Sequence, residues 1–319
     1  MPDTRTHASG TRETLRLTGL LLAIALATSR LGILAHELAG HGGMAVAVGG
    51  EVTEVQLFWF AGGWIRYHFA TPPSIAAQLA ISMAGIAVEA FAGTALCLAL
   101  RGDGDGLGRR LVRGIGAALV LHASWYLATG AWQGFGDGQL LHQVLGSARY
   151  PVAIGAGAIT CGCGFLGARS LVGTLRATGS SLVGLTVAAV LAGGIHAALA
   201  VGEIHVRRDT TYATIMRPEH ERQVDHELAR WAAYEAAHGG EVTPAERERE
   251  HARLEQAHRT FPFAWVLGAC AVLAMLAGAW RSLQRTQPAV TLGPALLVRA
   301  VATAAIAIAT VIAIDRVAR

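Results

Sequence analysis

The run LGILAHELAGHGGMAVAVGG, residues 31–50, carries His36, Glu37 and His41 and no other ionisable side chain. Titratable groups inside a bilayer are costly unless paired or hydrated, so a cluster of them in an apolar stretch points to function. Imidazole nitrogens are good zinc ligands, and a carboxylate beside the metal can act as general base. The spacing imposes a geometric condition. In an α-helix, positions i and i+4 lie about 40° apart but i and i+5 about 140° apart, so His36 and His41 would diverge. A π-bulge absorbs one extra residue and returns both rings to one face. Gly40, the most permissive residue type, lies where that bulge has to form.

The elements that must position this cluster read as membrane spans. Of 319 residues, 53% are hydrophobic and 15% charged, with mean hydropathy +0.42, a balance that a water-soluble globule of this size would struggle to bury. Apolar runs near the ~20 residues needed to cross a bilayer predict an all-α polytopic membrane protein. Its spans, about seven, fall at 15–48, 75–100, 110–131, 151–174, 181–202, 262–281 and 290–314. The first is overlong. Arg5, Arg12 and Arg16 ahead of LTGLLLAIALA, with Ala25 and Ala27 in an A-x-A arrangement, also look like a secretory signal. Cleavage would leave 31–48 to cross alone with its ionisable groups, so one long helix is expected.

After the first span, EVTEVQLFWF and WIRYHF flank Ala61-Gly62-Gly63 and predict a β-hairpin over 52–69. The sizeable polar region is 203–261. A helix opening at Pro218 runs through Val224, Leu228, Trp231 and Tyr234 to Gly239-Gly240, and the capping box Thr243-Pro244-Ala245-Glu246 starts a second. Together they predict a helical hairpin outside the membrane. The expected organisation is a tail (1–14), a membrane core (15–146), two further spans (147–202), the helical hairpin (203–261) and two last spans (262–319).

The cluster resembles known families. His36-Glu37-Leu38-Ala39-Gly40-His41 matches the elongated HExxGH zinc-peptidase signature of the dipeptidyl peptidase III family, a soluble family similar only in local metal geometry. In its membrane setting the chain resembles the site-2 protease (M50) family of intramembrane zinc proteases. That resemblance implies a third ligand from an LDG-type motif after a later span, here Gly136-Asp137-Gly138. Topological parity agrees, because spans 1 and 3 run in the same direction and bring HELAGH and Asp137 to one membrane face, together with the β-hairpin and the 203–261 helices. Ala84-Gly85-Ile86-Ala87-Val88-Glu89 occupies the place of the family's AGPxxN element, with Ile86 for the proline and Glu89 for the asparagine. The asparagine and proline that normally precede the LDG motif are also missing, and Gln133 offers an amide there.

The resemblance covers about residues 15–146. It implies Zn²⁺ held by His36, His41 and Asp137, Glu37 as general base, and hydrolysis of a peptide bond in or near a transmembrane segment of a membrane-protein substrate. Glu89, His122 and Gln133 are the candidate substrate contacts, and the 52–69 hairpin would hold the unwound segment by strand addition. The alternative is a non-proteolytic metal-binding membrane protein: a sensor, a transporter or an inactive homologue.

Other residues take plainer readings. Asp137 also suits a Gly-Asp-Gly turn, and His142, five residues on, is a rival ligand. His122 and His196 read as helix-packing donors, and His68 as a surface residue. Glu89 either contacts the pocket or pairs with an intramembrane arginine such as Arg30. Asp225-His226-Glu227-Leu228 echoes the motif without a second histidine. The four cysteines lie in apolar runs and read as small buried side chains.

All 26 basic residues are arginine, which suits a GC-rich genome, and a bacterial cell membrane is the expected location. Despite a charge of +4 they are scattered among inter-span loops, so no nucleic-acid partner is expected. Arginines in the N-terminus and in 101–113, 175–180 and 281–289 place those segments in the cytoplasm by the positive-inside rule, and the site near the opposite face. The family resemblance implies a zinc nearer the cytosol, and the arginine distribution is given the greater weight.

Overall fold

The computed structural model describes residues 4–99, 107–176, 181–284 and 294–318. Leu100, residues 101–106 with Arg101, residues 177–180, and residues 285–293 with Arg285 and the start of the last expected span, lie outside the described residues. Among the described residues, seven helices are long and apolar enough to cross a membrane, and one small antiparallel sheet accompanies them. The protein is an all-α multi-pass membrane protein.

The first span starts as α1 (Thr4–Leu34), continues unbroken through a π-helical segment (Ala35–Gly42) and ends as α2 (Gly43–Ala47). The N-terminal arginines and HELAGH therefore share one long helix, as expected. Strands β1 (Glu51–Leu57) and β2 (Gly63–His68) follow, then α3 (Ile75–Ala99), α4 (Leu107–Gln133) and a short α5 (Gly138–Leu145). The rest of the membrane region is α6 (Arg149–Arg176), α7 (Leu182–Arg207), α11 (Phe263–Leu283) and α12 (Pro294–Val317). Between α7 and α11 lie α8 (Thr210–Ile215), α9 (Glu219–Ala237) and α10 (Pro244–Ala257).

Helices α3, α4, α6 and α11 pack as one group, while α7 and α12 flank α1. Lipid provides no hydrophobic drive for helices to associate, so close contact falls to small side chains and hydrogen bonds. Ala128 and Ala131 of α4 are buried against Ala153 and Ala156 of α6, and Ser124 bonds Thr160 between the same helices at 2.9 Å.

The hairpin pairs Val55 with Ile65 and Leu57 with Gly63, with an irregularity between Val52 and Glu54. Its turn is longer than expected. Phe58, Trp59 and Phe60, β-forming by type, lie in the connection instead of the strand. The reason is non-local: the Glu203 carboxylate at the end of α7 accepts the backbone N–H groups of Trp59 (2.7 Å), Phe60 (2.6 Å) and Ala61 (3.3 Å). Arg30 of α1 donates to the carbonyls of Phe58 (2.7 Å) and Phe60 (3.1 Å). Buried backbone groups must be satisfied, and here two charged side chains replace a ladder partner. Asp315, near the end of α12, accepts from Gln56 Nε2 (2.8 Å) and the Leu57 N–H (3.3 Å).

Helix α7 continues five residues past the expected end at 202, because Arg207 pairs with Glu203 at 2.8 Å and with Asp315 at 3.2 Å. Helix α8, which the sequence pattern did not suggest, is capped by Asp209, whose side chain accepts from the Tyr212 N–H at 2.8 Å. Helices α9 and α10 form the expected hairpin. The Thr243–Glu246 capping box is present, and Val224 and Leu228 bury against Leu254. Arg222 of α9 donates to the Gly134 carbonyl, and the Gly136 N–H donates to Ile215 O at 2.9 Å, so this polar region abuts the loop that carries Asp137.

Candidate metal centre

Across Ala35–Gly42 the helix takes π geometry. Hydrogen bonds from i to i+5 bring residues five apart within one turn, and the Nε2 atoms of His36 and His41 approach to 3.1 Å. The distortion extends over eight residues rather than one bulged position. The role of Gly40 differs from the expected one. A Cβ there would lie 2.5 Å from Gly85 Cα, so glycine is required for α3 to cross against the π segment, and backbone permissiveness is secondary. Gly85 has a matching constraint on its other side: a Cβ would lie 2.5 Å from His36 Nε2 and 2.7 Å from His41 Nε2. The space a methyl group would fill is the space into which both imidazoles point.

Asp137 enters this space from the loop between α4 and α5. Gly136 beside it has φ +53°, a left-handed conformation that turns the chain back over Tyr126. Asp137 Oδ2 lies 2.8 Å from His36 Nε2 and Oδ1 lies 3.2 Å from His41 Nε2. Tetrahedral zinc with bonds of ~2.0–2.2 Å holds its ligand atoms ~3.3 Å apart, so the three donors stand close to the required triangle. The chemistry of the donors agrees. His41 donates its Nδ1–H to Ile81 O at 2.6 Å, leaving the Nε2 of a neutral ring with its lone pair. That lone pair, the Nε2 of His36 and the Asp137 carboxylate are aimed at one point, an arrangement that a cation among them would satisfy. Among the described residues, His36, His41 and Asp137 are the group of histidine, cysteine and acidic side chains able to hold a metal ion.

No protein-family model, curated protein or solved structure matches this chain.

The site opens into a cavity of about 820 Å³, walled mainly by apolar side chains. It follows α1 from Leu21 to His36 and α4 from Leu111 to Thr129. Glu37 is buried on its wall near β2, its Cγ 3.4 Å from where a Cβ on Gly63 would stand. Glu89, which can face the pocket or an arginine, faces the pocket: its Oε2 accepts from His122 Nδ1 at 2.9 Å and lies 3.6 Å from His36 Nδ1. Arg30 is engaged with the hairpin turn instead. His122 is the interhelical donor expected of it, joining α4 to Glu89 of α3, and it belongs to the site as well. Its ring stacks on Tyr126 with 10° between planes and 6.2 Å between centroids, and lines the cavity. His196 also lines the cavity and bonds Ser29 Oγ at 3.2 Å.

Two candidates lie elsewhere. Gln133 and His142 line a separate pocket of about 440 Å³ with Trp132, Tyr150 and Glu219. His142 donates its Nδ1–H to Ala131 O at 3.0 Å, because the start of α5 turns it away from the imidazole pair. Tyr126, Glu203 and Asp315 were missed from the sequence. Tyr126 had a signal, lying one helical turn after His122 on the same face. The acidic pair had none, since each acts on a segment more than 140 residues away.

Proposed function

We propose that this chain is an intramembrane zinc-dependent endopeptidase of the site-2 protease type, which hydrolyses a peptide bond in or near a transmembrane segment of another membrane protein in a bacterial cell membrane. The observation that carries this reading is the convergence of His36, His41 and Asp137 beside a buried Glu37 at one end of a membrane-embedded cavity. The donor set and its separations suit zinc. The cavity adds support: from Leu21 to His36 on α1 it runs about 20 Å at 1.5 Å per residue, a large part of the ~30 Å hydrocarbon core.

A zinc ion held by these three residues supplies Lewis acidity, making water nucleophilic near neutral pH and polarising a carbonyl. Glu37 takes the proton of the attacking water on its carboxylate and passes it to the leaving amine. The hairpin orients the substrate. The Phe58 N–H donates to Gly62 O, and the alternation of an antiparallel ladder then turns the N–H and C=O groups of Gly63 and Ile65 away from β1. Both residues line the cavity. An unwound peptide pairing with that edge presents a carbonyl freed from intrahelical hydrogen bonding.

The replacement of the AGPxxN proline and asparagine by Ile86 and Glu89 favours a second reading, a metal-using membrane protein without proteolysis. One experiment separates the two. The full-length protein and its Glu37→Gln variant are reconstituted in liposomes with a panel of tagged single-span membrane proteins, and zinc content and cleavage are measured together. The protease reading expects zinc retained and cleavage abolished in the variant. Cleavage that survives Glu37→Gln, or wild-type protein without zinc, refutes it.

A further inference from the structure

The two imidazoles meet at their Nε2 atoms, and each then needs an acceptor for the N–H on its far nitrogen. His41 has one, the carbonyl of Ile81 at 2.6 Å. His36 Nδ1 is buried and has no hydrogen-bond partner among the described residues. The acceptor facing it is Glu89 Oε2 at 3.6 Å, a few tenths of an ångström beyond hydrogen-bond range. His36 Nε2 stands 2.8 Å from Asp137 Oδ2, about half an ångström closer than two ligands of one zinc ion, so these two donors would separate slightly around a metal.

We infer that Glu89 is the positioning residue of the metal centre. Its carboxylate accepts the Nδ1–H of His36, selects the tautomer that leaves Nε2 free for the metal, and is itself held by His122. This deepens the zinc reading above and rests on it. Three further observations support it. Glu89 is 3% exposed, so its position is set by packing. A Cβ on Gly32 of α1 would lie 3.1 Å from Glu89 Oε1, so a residue without a side chain stands where the carboxylate approaches α1. His122, 63% exposed and among the residues that line the cavity, anchors Oε2 at 2.9 Å. A buried carboxylate bonded to the outer nitrogen of a ligating histidine fixes the ring and raises its basicity, and loss of such a partner costs about 10- to 100-fold in metal affinity. An asparagine at this position offers a neutral acceptor on a shorter stem, and the acid here is the stronger device.

The test is the Zn²⁺ affinity of the full-length protein in detergent, stripped of metal and titrated against a competing fluorescent chelator. Wild type is compared with Glu89→Leu, Glu89→Gln and His122→Leu, and the melting temperature of each metal-free protein reports the fold. Glu89→Leu is expected to bind Zn²⁺ about 10- to 100-fold more weakly. Glu89→Gln, which keeps an acceptor oxygen, recovers part of that loss, and His122→Leu gives a smaller one. The metal-free melting temperature of Glu89→Gln stays near that of wild type. Zinc affinity of Glu89→Leu within twofold of wild type, or an equal loss in Gln and Leu variants, overturns the inference and leaves the zinc reading standing. A wild-type protein that binds no Zn²⁺ overturns both.

Discussion

Gly85→Ala is the sharpest perturbation of the centre. The added methyl carbon would stand 2.5 Å from His36 Nε2 and 2.7 Å from His41 Nε2. Non-bonded carbon contacts settle near 3.5–4.0 Å, so about 1 Å of separation must be found. Metal–ligand distances tolerate about ±0.2 Å, and the needed movement is several times that. The backbone behind Gly85 gives no relief, because Gly40 already packs against its Cα. Overpacking of a filled site costs about 1–3 kcal/mol. If the imidazoles yield, that cost falls on the metal site, and under the zinc proposal the affinity for Zn²⁺ drops by roughly 10- to 100-fold. If the helices yield, the same cost appears as lost stability. Gly43→Ala is the internal control: its Cβ would meet only Leu38 O at 3.7 Å, its φ is −60°, and alanine in a helix is favoured over glycine by about 0.5–1 kcal/mol. Zinc content per chain and melting temperature with and without metal are measured for both variants. Gly85→Ala with wild-type zinc affinity and wild-type melting would refute the claim that the imidazoles converge over that glycine.

Glu203→Gln removes a charge that accepts three backbone N–H groups of the hairpin turn. A buried group left without its partner costs about 1–3 kcal/mol, so a lower melting temperature is expected, with faster amide exchange confined to 58–62. Exchange at those amides matching wild type would show that the turn holds itself. Seven spans place the N-terminus opposite both the C-terminus and the α9–α10 hairpin. Cysteines introduced after Gly239 and near residue 318 are therefore expected to react with an impermeant thiol reagent from one side, and a cysteine near residue 12 from the other. Labelling of all three from one side would break the parity that joins HELAGH and Asp137.

Much of the molecule was legible in the chain because the signals are local. Hydropathy over twenty-residue windows located seven spans, and the Thr243–Glu246 box and Gly239-Gly240 bounded α9 and α10. The five-residue separation of His36 and His41 demanded a π distortion, since no regular α-helix brings such rings together. Tertiary structure decided what depends on partners distant in sequence. Phe58, Trp59 and Phe60 have strand propensity, yet Glu203 and Arg30 draw them into a turn, because satisfying buried peptide groups outweighs propensity. Glu89 had two possible partners on paper, and the crossing of α3 over the π segment at Gly40 and Gly85 turned it to His36 and His122, with Arg30 left to the hairpin. A donor's identity is written in its residue type, whereas its approach to within 3 Å of another donor is set by helix packing, and helix packing sums contacts that no single segment contains.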